Sequence, residues 1–498
     1  MDPKKRHILL IGCYISLSGL LYGLDTGSIG PITSMAQFTT SIGPLTPLHQ
    51  GLYVSSFLLS AALSSLASGH VADKISRKYG ILTGAFLTLA GTVASAASPN
   101  LAALVCARLL TGVGAGQAIS VTTVYLVEIA RAEVRGTLAC LIQSYIVSGV
   151  ALGYFIAYGT RGLAGSLAWR APFVVQAVVA ACLCAGAGFM PFSPRWLVRS
   201  GRAEEAKRVL MRLREPLEAE QELLEIRQAV EAERMRPDAG WGEMFGRRYV
   251  GRTALGCFLM AFQQLMGIDA ILYYAPIVFQ QAGFTAERAS FLASGVSGII
   301  MVLCTVPAQI WVDKWSRKKT LGFGGLACAT CFIVIGSLYA KYGSVEDGGV
   351  VLSSKSAQWT VIVLIYVFSA NFSWSWAVVG KIYTCEIIPT RLRAKVCAVE
   401  QLTNWLVNFI IALTAPLFLR SSPSGPYFLF GFSTLLAATV CFFMPETAGK
   451  SLEQIEGLFE KNQSFRPSVE VEAGNPPQMS AVDDVILSSI VPKGEIAV

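Results

Sequence analysis

The chain has 498 residues, of which 53% are hydrophobic and only 14% charged, with a mean hydropathy of +0.53. A soluble domain carries about 25% charged residues, so this much apolar surface needs lipid as its solvent, and a water-soluble globular domain is excluded. The net charge of +8 is not a nucleic-acid signal, because the basic residues sit in short loops between apolar runs, the pattern that orients membrane proteins.

An apolar run of about 17–25 residues spans a ~30 Å hydrocarbon core. Twelve such runs follow one another and predict helices 1 to 12, at about 8–30, 51–72, 80–97, 101–124, 137–159, 171–190, 252–280, 290–312, 320–340, 358–384, 396–418 and 426–444. Lys4, Lys5 and Arg6 precede helix 1, and Lys74, Arg77 and Lys78 follow helix 2. Arg131 and Arg135 follow helix 4, Lys314, Arg317, Lys318 and Lys319 follow helix 8, and Arg391, Arg393 and Lys395 follow helix 10. The alternate loops are sparse in charge, so both termini and the long 191–250 loop are expected in the cytoplasm. The first helix is too long for a cleavable signal and lacks a small-residue cleavage site. All twelve Cys fall in or beside apolar runs, which points to buried free thiols rather than disulfides.

The order of elements gives six helices in 1–190, a charged helix-favouring linker in 191–250, six helices in 251–445 and a tail in 446–498. Within the linker, Ala203 to Leu213 and Leu217 to Arg234 have helical periodicity with many Glu/Arg pairs. The tail is Pro/Ser-rich and expected to be disordered beyond Pro467.

In the first half, two charges lie inside bilayer-length helices. Asp25 sits mid-way along helix 1, in Leu20-Leu21-Tyr22-Gly23-Leu24-Asp25-Thr26-Gly27, and Arg108 near the start of helix 4. Each costs roughly 2.5–3.5 kcal/mol on insertion scales, so each needs a polar cavity or a partner. A buried acid with a buried arginine nearby points to a site that takes up and releases a proton.

An internal repeat links the halves. Asp73-Lys74-Ile75-Ser76-Arg77-Lys78 after helix 2 matches Asp313-Lys314-Trp315-Ser316-Arg317-Lys318 after helix 8, at an offset of 240 residues. Glu128 and Arg135 after helix 4 are echoed by Glu386 and Arg393 after helix 10. Repeated at matching places, these charges are expected to form a latch on the cytoplasmic side. Two matching six-helix halves imply a pseudo-two-fold bundle with a site at its mid-membrane interface.

The ordered motifs Tyr22-Gly23-Leu24-Asp25-Thr26-Gly27, Arg108…Gly112…Gly114…Gly116, Pro191…Ser193-Pro194-Arg195-Trp196-Leu197, Gln263-Gln264…Gly267…Tyr273-Tyr274, Asn404-Trp405…Asn408-Phe409 and Pro445-Glu446-Thr447 resemble the sugar porter family of the major facilitator superfamily, of the fungal type, over roughly residues 8–460. The resemblance implies an all-α membrane protein, with twelve transmembrane helices in two pseudo-symmetric six-helix bundles and a cytoplasmic helical linker. It further implies proton-coupled transport of a monosaccharide or a related polyol or sugar acid by alternating access, with no enzyme activity and no cofactor. In that family the helix 1 acid, here Asp25, is the protonation site and the helix 4 arginine, here Arg108, its switchable partner. Gln143, Gln263, Gln264, Asn404 and Asn408 occupy sugar-contact positions, and amides supply the paired donors and acceptors that suit a polyol. Tyr273, Tyr274, Phe372 and Trp405 offer aromatic faces for a ring or for ordinary core packing. The expected latch residues are Asp73, Arg77, Glu128, Arg135, Asp313, Arg317, Glu386 and Arg393.

Several residues depart from the family pattern. Asp269 stands where helix 7 normally has Asn, and Lys381 where helix 10 normally has Trp. Glu400 lies four residues before Asn404 and eight before Asn408, on one face of helix 11. Either Lys381 pairs with Asp269 or Glu400 and the site stays neutral, or it offers charge to an anionic substrate such as a sugar acid; both readings stand. Phe192 replaces a Glu of the cytoplasmic charge network, Ala377-Val378 a Gly-Pro of helix 10, and Ser76 and Ser316 replace glycines of the repeated loop. A proton-independent facilitator, a small-metabolite exporter and a non-transporting sensor are the alternatives. The expected setting is a monomer in the plasma membrane, with a sugar or sugar acid, protons and lipid as its partners and no nucleic acid. The three His, at 7, 49 and 70, are too scattered for a metal site.

Overall fold

The structure, a computed structural model, describes residues 3–130, 135–235, 240–283, 287–346, 349–450, 454–455 and 458–459. Among the described residues, twelve helices are long and apolar enough to cross a membrane: Lys4–Ser34, Pro47–Ile75, Arg77–Ala97, Leu101–Ile129, Cys140–Thr160, Leu167–Ala185, Val250–Tyr273, Ser294–Trp311, Arg317–Tyr342, Lys355–Glu386, Lys395–Ser421 and Gly425–Phe443. Each overlays one of the apolar runs read from the sequence, and they keep the numbers 1 to 12. The starts have local causes. Thr46 accepts the His49 N–H and puts Pro47 in the first turn of helix 2, and Asn100 accepts the Ala103 N–H at the start of helix 4.

Three runs that read as continuous are broken, the first of them briefly at Ser16, between Pro3–Ile15 and Leu17–Ser34. Helix 7 stops at Leu265, turns through Gly267 in the left-handed region (φ 81°) and resumes over Ile268–Tyr273. The Phe430 ring occupies the space a side chain at Gly267 would need. Helix 10 is interrupted at Ser375, between Lys355–Trp374 and Trp376–Glu386, although the Gly-Pro pair that favours bending is absent. A short hairpin, Gly343–Glu346 paired with Gly349–Leu352, joins helices 9 and 10 and has no counterpart in the sequence reading.

Helix 4 is held by close approach. A methyl at Gly112 or Gly116 would collide with backbone oxygens of helix 2, at Phe57 and Ala61, and one at Gly114 with helix 3 at Gly84 and Thr88. Between the halves, helix 2 packs on helix 11 and helix 5 on helix 8. Away from the basic loops this interface is tight. A β-carbon on Gly30 would strike Tyr273 O and one on Gly51 would strike Leu413 O, and the Tyr154 hydroxyl donates to Leu272 O.

The loop repeat is structural as well as sequential. Arg77 donates to Ala72 O at the end of helix 2, and Arg317 to Val312 O at the matching place after helix 8. One difference breaks the symmetry. Ser76 has φ 97°, the only positive φ at a non-glycine among the described residues, whereas Ser316 has an ordinary φ of −64°. Left-handed backbone costs an L-residue about 1–2 kcal/mol, and exchanging a serine cap for glycine loses only a few tenths. Ser76→Gly is therefore expected to stabilise the protein by about 1 kcal/mol, read as a higher thermal midpoint of the detergent-solubilised protein. An unchanged or lower midpoint would show that the strain is compensated.

The linker folds as Pro194–Arg199, Ala203–Leu213 and Pro216–Met235, packed through Leu197, Ala206, Leu210, Ala219 and Leu223. It is tied to the first half. Trp196 Nε1 donates to Asp73 O at 3.0 Å, and buried Arg214 pairs with Glu222 at 2.6 Å and donates to Ile129 O at 3.2 Å. Phe192 stacks on Trp196 with ring centres 5.7 Å apart, under Lys78 at 5.1 Å and Arg202 at 5.3 Å. An aromatic platform for cations thus stands where the family has a carboxylate.

Candidate substrate and proton-coupling site

Asp25 and Arg108 meet. Both are buried, at 4% and 2% exposure, and the guanidinium Nη1 donates to the carboxylate across helices 1 and 4. Arg108 has other support. Its Nη2 donates to Val54 O at 3.3 Å, and its charge lies over the Tyr53 and Phe57 rings at 5.4 and 5.1 Å. The arginine is therefore caged by helix 2 as well as by the acid, and losing the carboxylate's charge leaves it with partners.

A polar network lies in the other half. Asn404 of helix 11 donates to Met260 O at 3.0 Å and to Gln263 Oε1 at 3.1 Å, and accepts from Gln264 Nε2 at 3.1 Å. Gln263 in turn donates to Trp376 O at 2.8 Å, beside the break in helix 10. Asn408 donates to Asp269 Oδ2 and lies 3.5 Å from the Tyr273 hydroxyl. Two buried acceptors, Gln264 Oε1 and Asn408 Oδ1, have no hydrogen-bond partner. A buried acceptor without a donor costs about 1–3 kcal/mol, a cost that hydroxyl donors would offset. Trp405 is 5% exposed and meets the Tyr22 ring edge-on at 5.4 Å.

One expected site residue, Tyr274, lies away from the amide network, and neither candidate carboxylate bonds to Lys381. Tyr274 is 1% exposed with its hydroxyl donating to Ala412 O at 2.6 Å, so it anchors helix 7 to helix 11 and faces no cavity. Lys381 pairs with neither carboxylate by contact: its Nζ donates to Gln143 Oε1 of helix 5 at 3.2 Å, joining the two halves. Glu400, on the shared face with Asn404 and Asn408, is 2% exposed and packs against Gly256, where a methyl would strike its carboxylate. Lys381 is exposed, and Gln143 and Asp269 are half-buried, although all three lie within membrane helices. The gap between the halves is therefore not sealed around these three residues, although the Ser144 hydroxyl of helix 5 also donates to Gln309 Oε1 of helix 8 across it.

Among the described residues the expected latch residues form two clusters, one per half. Arg77 pairs with Asp73 at 2.6 Å and with Glu128 at 3.1 Å; Arg317 pairs with Glu386 at 3.2 Å, and Glu386 accepts from the Thr447 hydroxyl. Each arginine also satisfies a terminal carbonyl of its own half, which fixes it there. Arg393 donates to Ile388 O at 3.1 Å. The side chains of Arg135 and Asp313, all of Arg131 and the tail beyond Pro467 lie outside the described residues.

Glu446, of the Pro445-Glu446-Thr447 motif, closes the second cluster. It accepts from the Ser316 hydroxyl, from the N–H groups of Arg317 at 2.9 Å and Lys318 at 3.3 Å, and from that of Ala448 at 3.0 Å. It is thus an anion at the start of helix 9, complementing the helix dipole. Burial raises its pKa, but these hydrogen bonds outweigh that and hold it below the ordinary 4.5. A lowered carboxylate pKa gives stability that is present above the ordinary value and lost as pH falls through the lowered one. Glu446→Gln is expected to cost about 0.3–1 kcal/mol at neutral pH and to flatten the loss of thermal midpoint on acidification. Parallel melts of the two proteins across the acid range check this.

The family model "Sugar (and other) transporter" matches residues 12–459. "Sugar transport protein MST6" of Oryza sativa is 31% identical, covering 95% of this chain and 94% of its own length. "High-affinity glucose transporter 1" of Candida albicans is 27% identical, covering 94% and 90%. Among solved structures, the inward-open conformation of the xylose transporter XylE from E. coli has a TM-score of 0.76 at 27% identity, covering 91% of this chain and 99% of that one. The proton:xylose symporter XylE bound to 6-bromo-6-deoxy-D-glucose has a TM-score of 0.74 at 25% identity, with the same coverage. With twelve membrane helices, two matching halves and a family match over nearly its whole length, the chain belongs to the sugar porter family of the major facilitator superfamily and is a multi-pass membrane transporter rather than an enzyme.

Proposed function

We propose that this chain is a proton-coupled symporter of a monosaccharide or a close derivative, working by alternating access as a monomer in the plasma membrane with both termini cytoplasmic. The observation that carries the reading is the buried Asp25–Arg108 pair between helices 1 and 4. A proton on Asp25 removes its charge, and Arg108 is then held by Val54 O and the Tyr53 and Phe57 rings. That gives helices 1, 2 and 4 two electrostatic states, which a facilitator does not need. The naming of XylE as a proton:xylose symporter and of other relatives as sugar transporters supports the same reading. In it, Gln143, Gln263, Gln264, Asp269, Asn404 and Asn408 hold the solute. The two loop clusters stay intact within their halves and part from one another as the carrier opens to the cytoplasm.

The test is uptake in a host without its own sugar carriers, with and without a protonophore. Accumulation that the protonophore abolishes is expected; uptake indifferent to it would establish a facilitator. Asn404→Ala removes the centre of the amide network, leaving Gln263 and Gln264 without their shared partner. Losing a hydrogen-bonding hub of this kind costs about 1.5–3 kcal/mol, so uptake at low solute should fall roughly 10- to 100-fold, recoverable in part at high solute.

A further inference from the structure

The unusual charges of the second half are not equivalent. Asp269 is bonded to Asn408 and acts on Lys381 only through space. Glu400 is turned away, against Gly256 and beside Thr384 and Cys397. Of the three, Lys381 alone is exposed, and its bonded partner is the neutral amide oxygen of Gln143. An ammonium has three N–H donors, and Gln143 takes one. Lys381 lies near the end of helix 10, and a neutral hexose offers it no charge to pair with. A carboxylate does, through a charge-assisted hydrogen bond about twice as strong as a neutral one. The Gln143 amide, already against Lys381 from the opposite half, carries N–H donors that suit the second carboxylate oxygen.

We propose that Lys381 and Gln143 form a carboxylate subsite, so that the solute is a sugar monocarboxylate, a uronic or aldonic acid. This rests on the reading of the chain as a sugar carrier and names its substrate class. The hydroxyls of the acid fall to the other side of the cavity, where Gln264 Oε1 and Asn408 Oδ1 lack donors. The Asp269 carboxylate repels a second acidic group there, which limits the solute to one.

The test is counterflow by the purified full-length carrier in proteoliposomes with matched pairs, D-galactose against D-galacturonate and D-glucose against D-glucuronate. Exchange of the acid at least tenfold faster than its neutral partner is expected. Lys381→Gln should lose acid exchange at least tenfold while keeping any neutral exchange, and Lys381→Arg should keep part of the acid exchange. Monodisperse elution and an unchanged thermal midpoint establish that each variant is folded. Preference for the neutral sugars, or acid exchange untouched in Lys381→Gln, would overturn the subsite and leave the sugar-carrier reading standing. Exchange of none of the four would overturn both.

Discussion

Asp25→Asn is expected to abolish uphill accumulation and leave exchange. Asn keeps the shape of the carboxyl and removes its charge, so the variant is fixed in the state that protonation produces. Solute gradients should still move solute, because the amide network belongs to the other half and does not touch this pair. Steady-state accumulation should fall to equilibration, and alkalinisation of the medium on adding solute should vanish, while counterflow stays within a few-fold of wild type. Removing one partner of a buried ion pair costs about 3–5 kcal/mol when the other is stranded. Here Arg108 retains Val54 O and two ring faces, so the loss of thermal stability should fall below that range. Asp25→Glu, which restores a titratable group one methylene longer, should recover some accumulation. Intact proton-driven accumulation by Asp25→Asn would falsify the coupling role and make the pair a structural tie between helices 1 and 4.

Hydrophobic run length made the twelve spans legible, because a helix that must cross lipid has no other way to satisfy its backbone. The 240-residue echo likewise foretold two matching loops, and Arg77 and Arg317 do bind carbonyls at equivalent places. Run length carries no information on continuity, so the breaks at Gly267 and Ser375 were not legible, although a Gly inside an apolar helix was a signal for the first. Side-chain direction was the other gap. Tyr273 and Tyr274 are adjacent and alike, yet one meets Asn408 and the other reaches Ala412 O, one turn further along helix 11. The irregular backbone around Tyr274 (φ −114°, ψ 21°) separates them, and no periodicity argument applies there. Lys381 was legible as an anomaly but not its partner, because Gln143 lies in the other half of the chain. Charge counting looks for a carboxylate and passes over an amide. Glu446 was quoted in a motif and given no role, since its work is to cap a helix more than a hundred residues away in sequence.

Gly27→Val is expected to prevent assembly of the first half. Gly23 and Gly27 on helix 1 face Gly149 and Gly153 on helix 5, and the two backbones lie so close that each glycine fills the other's gap. A β-carbon at Gly27 would sit 2.1 Å from Val150 O, and one at Gly23 2.1 Å from Ile146 O. Both obstacles are backbone oxygens, which cannot rotate aside as a side chain can. Relief therefore needs the helices to separate, which moves Asp25 on helix 1 relative to Arg108 and Gln143 on helix 5 relative to Lys381. Overpacking costs about 1–3 kcal/mol where neighbours can adjust, and more is expected here. Gly27→Ala should give a reduced yield of folded protein and Gly27→Val almost none, measured as monodisperse protein after detergent extraction. Gly159, near the end of helix 5, has nothing within 4 Å of its would-be β-carbon, so Gly159→Val should extract at wild-type yield. Equal losses at Gly27 and Gly159 would mean that helix propensity, rather than the contact between helices 1 and 5, sets the requirement for glycine. Wild-type yield of Gly27→Val would mean that the two helices can part without disturbing either polar pair, and the geometry of both would then owe nothing to this seam.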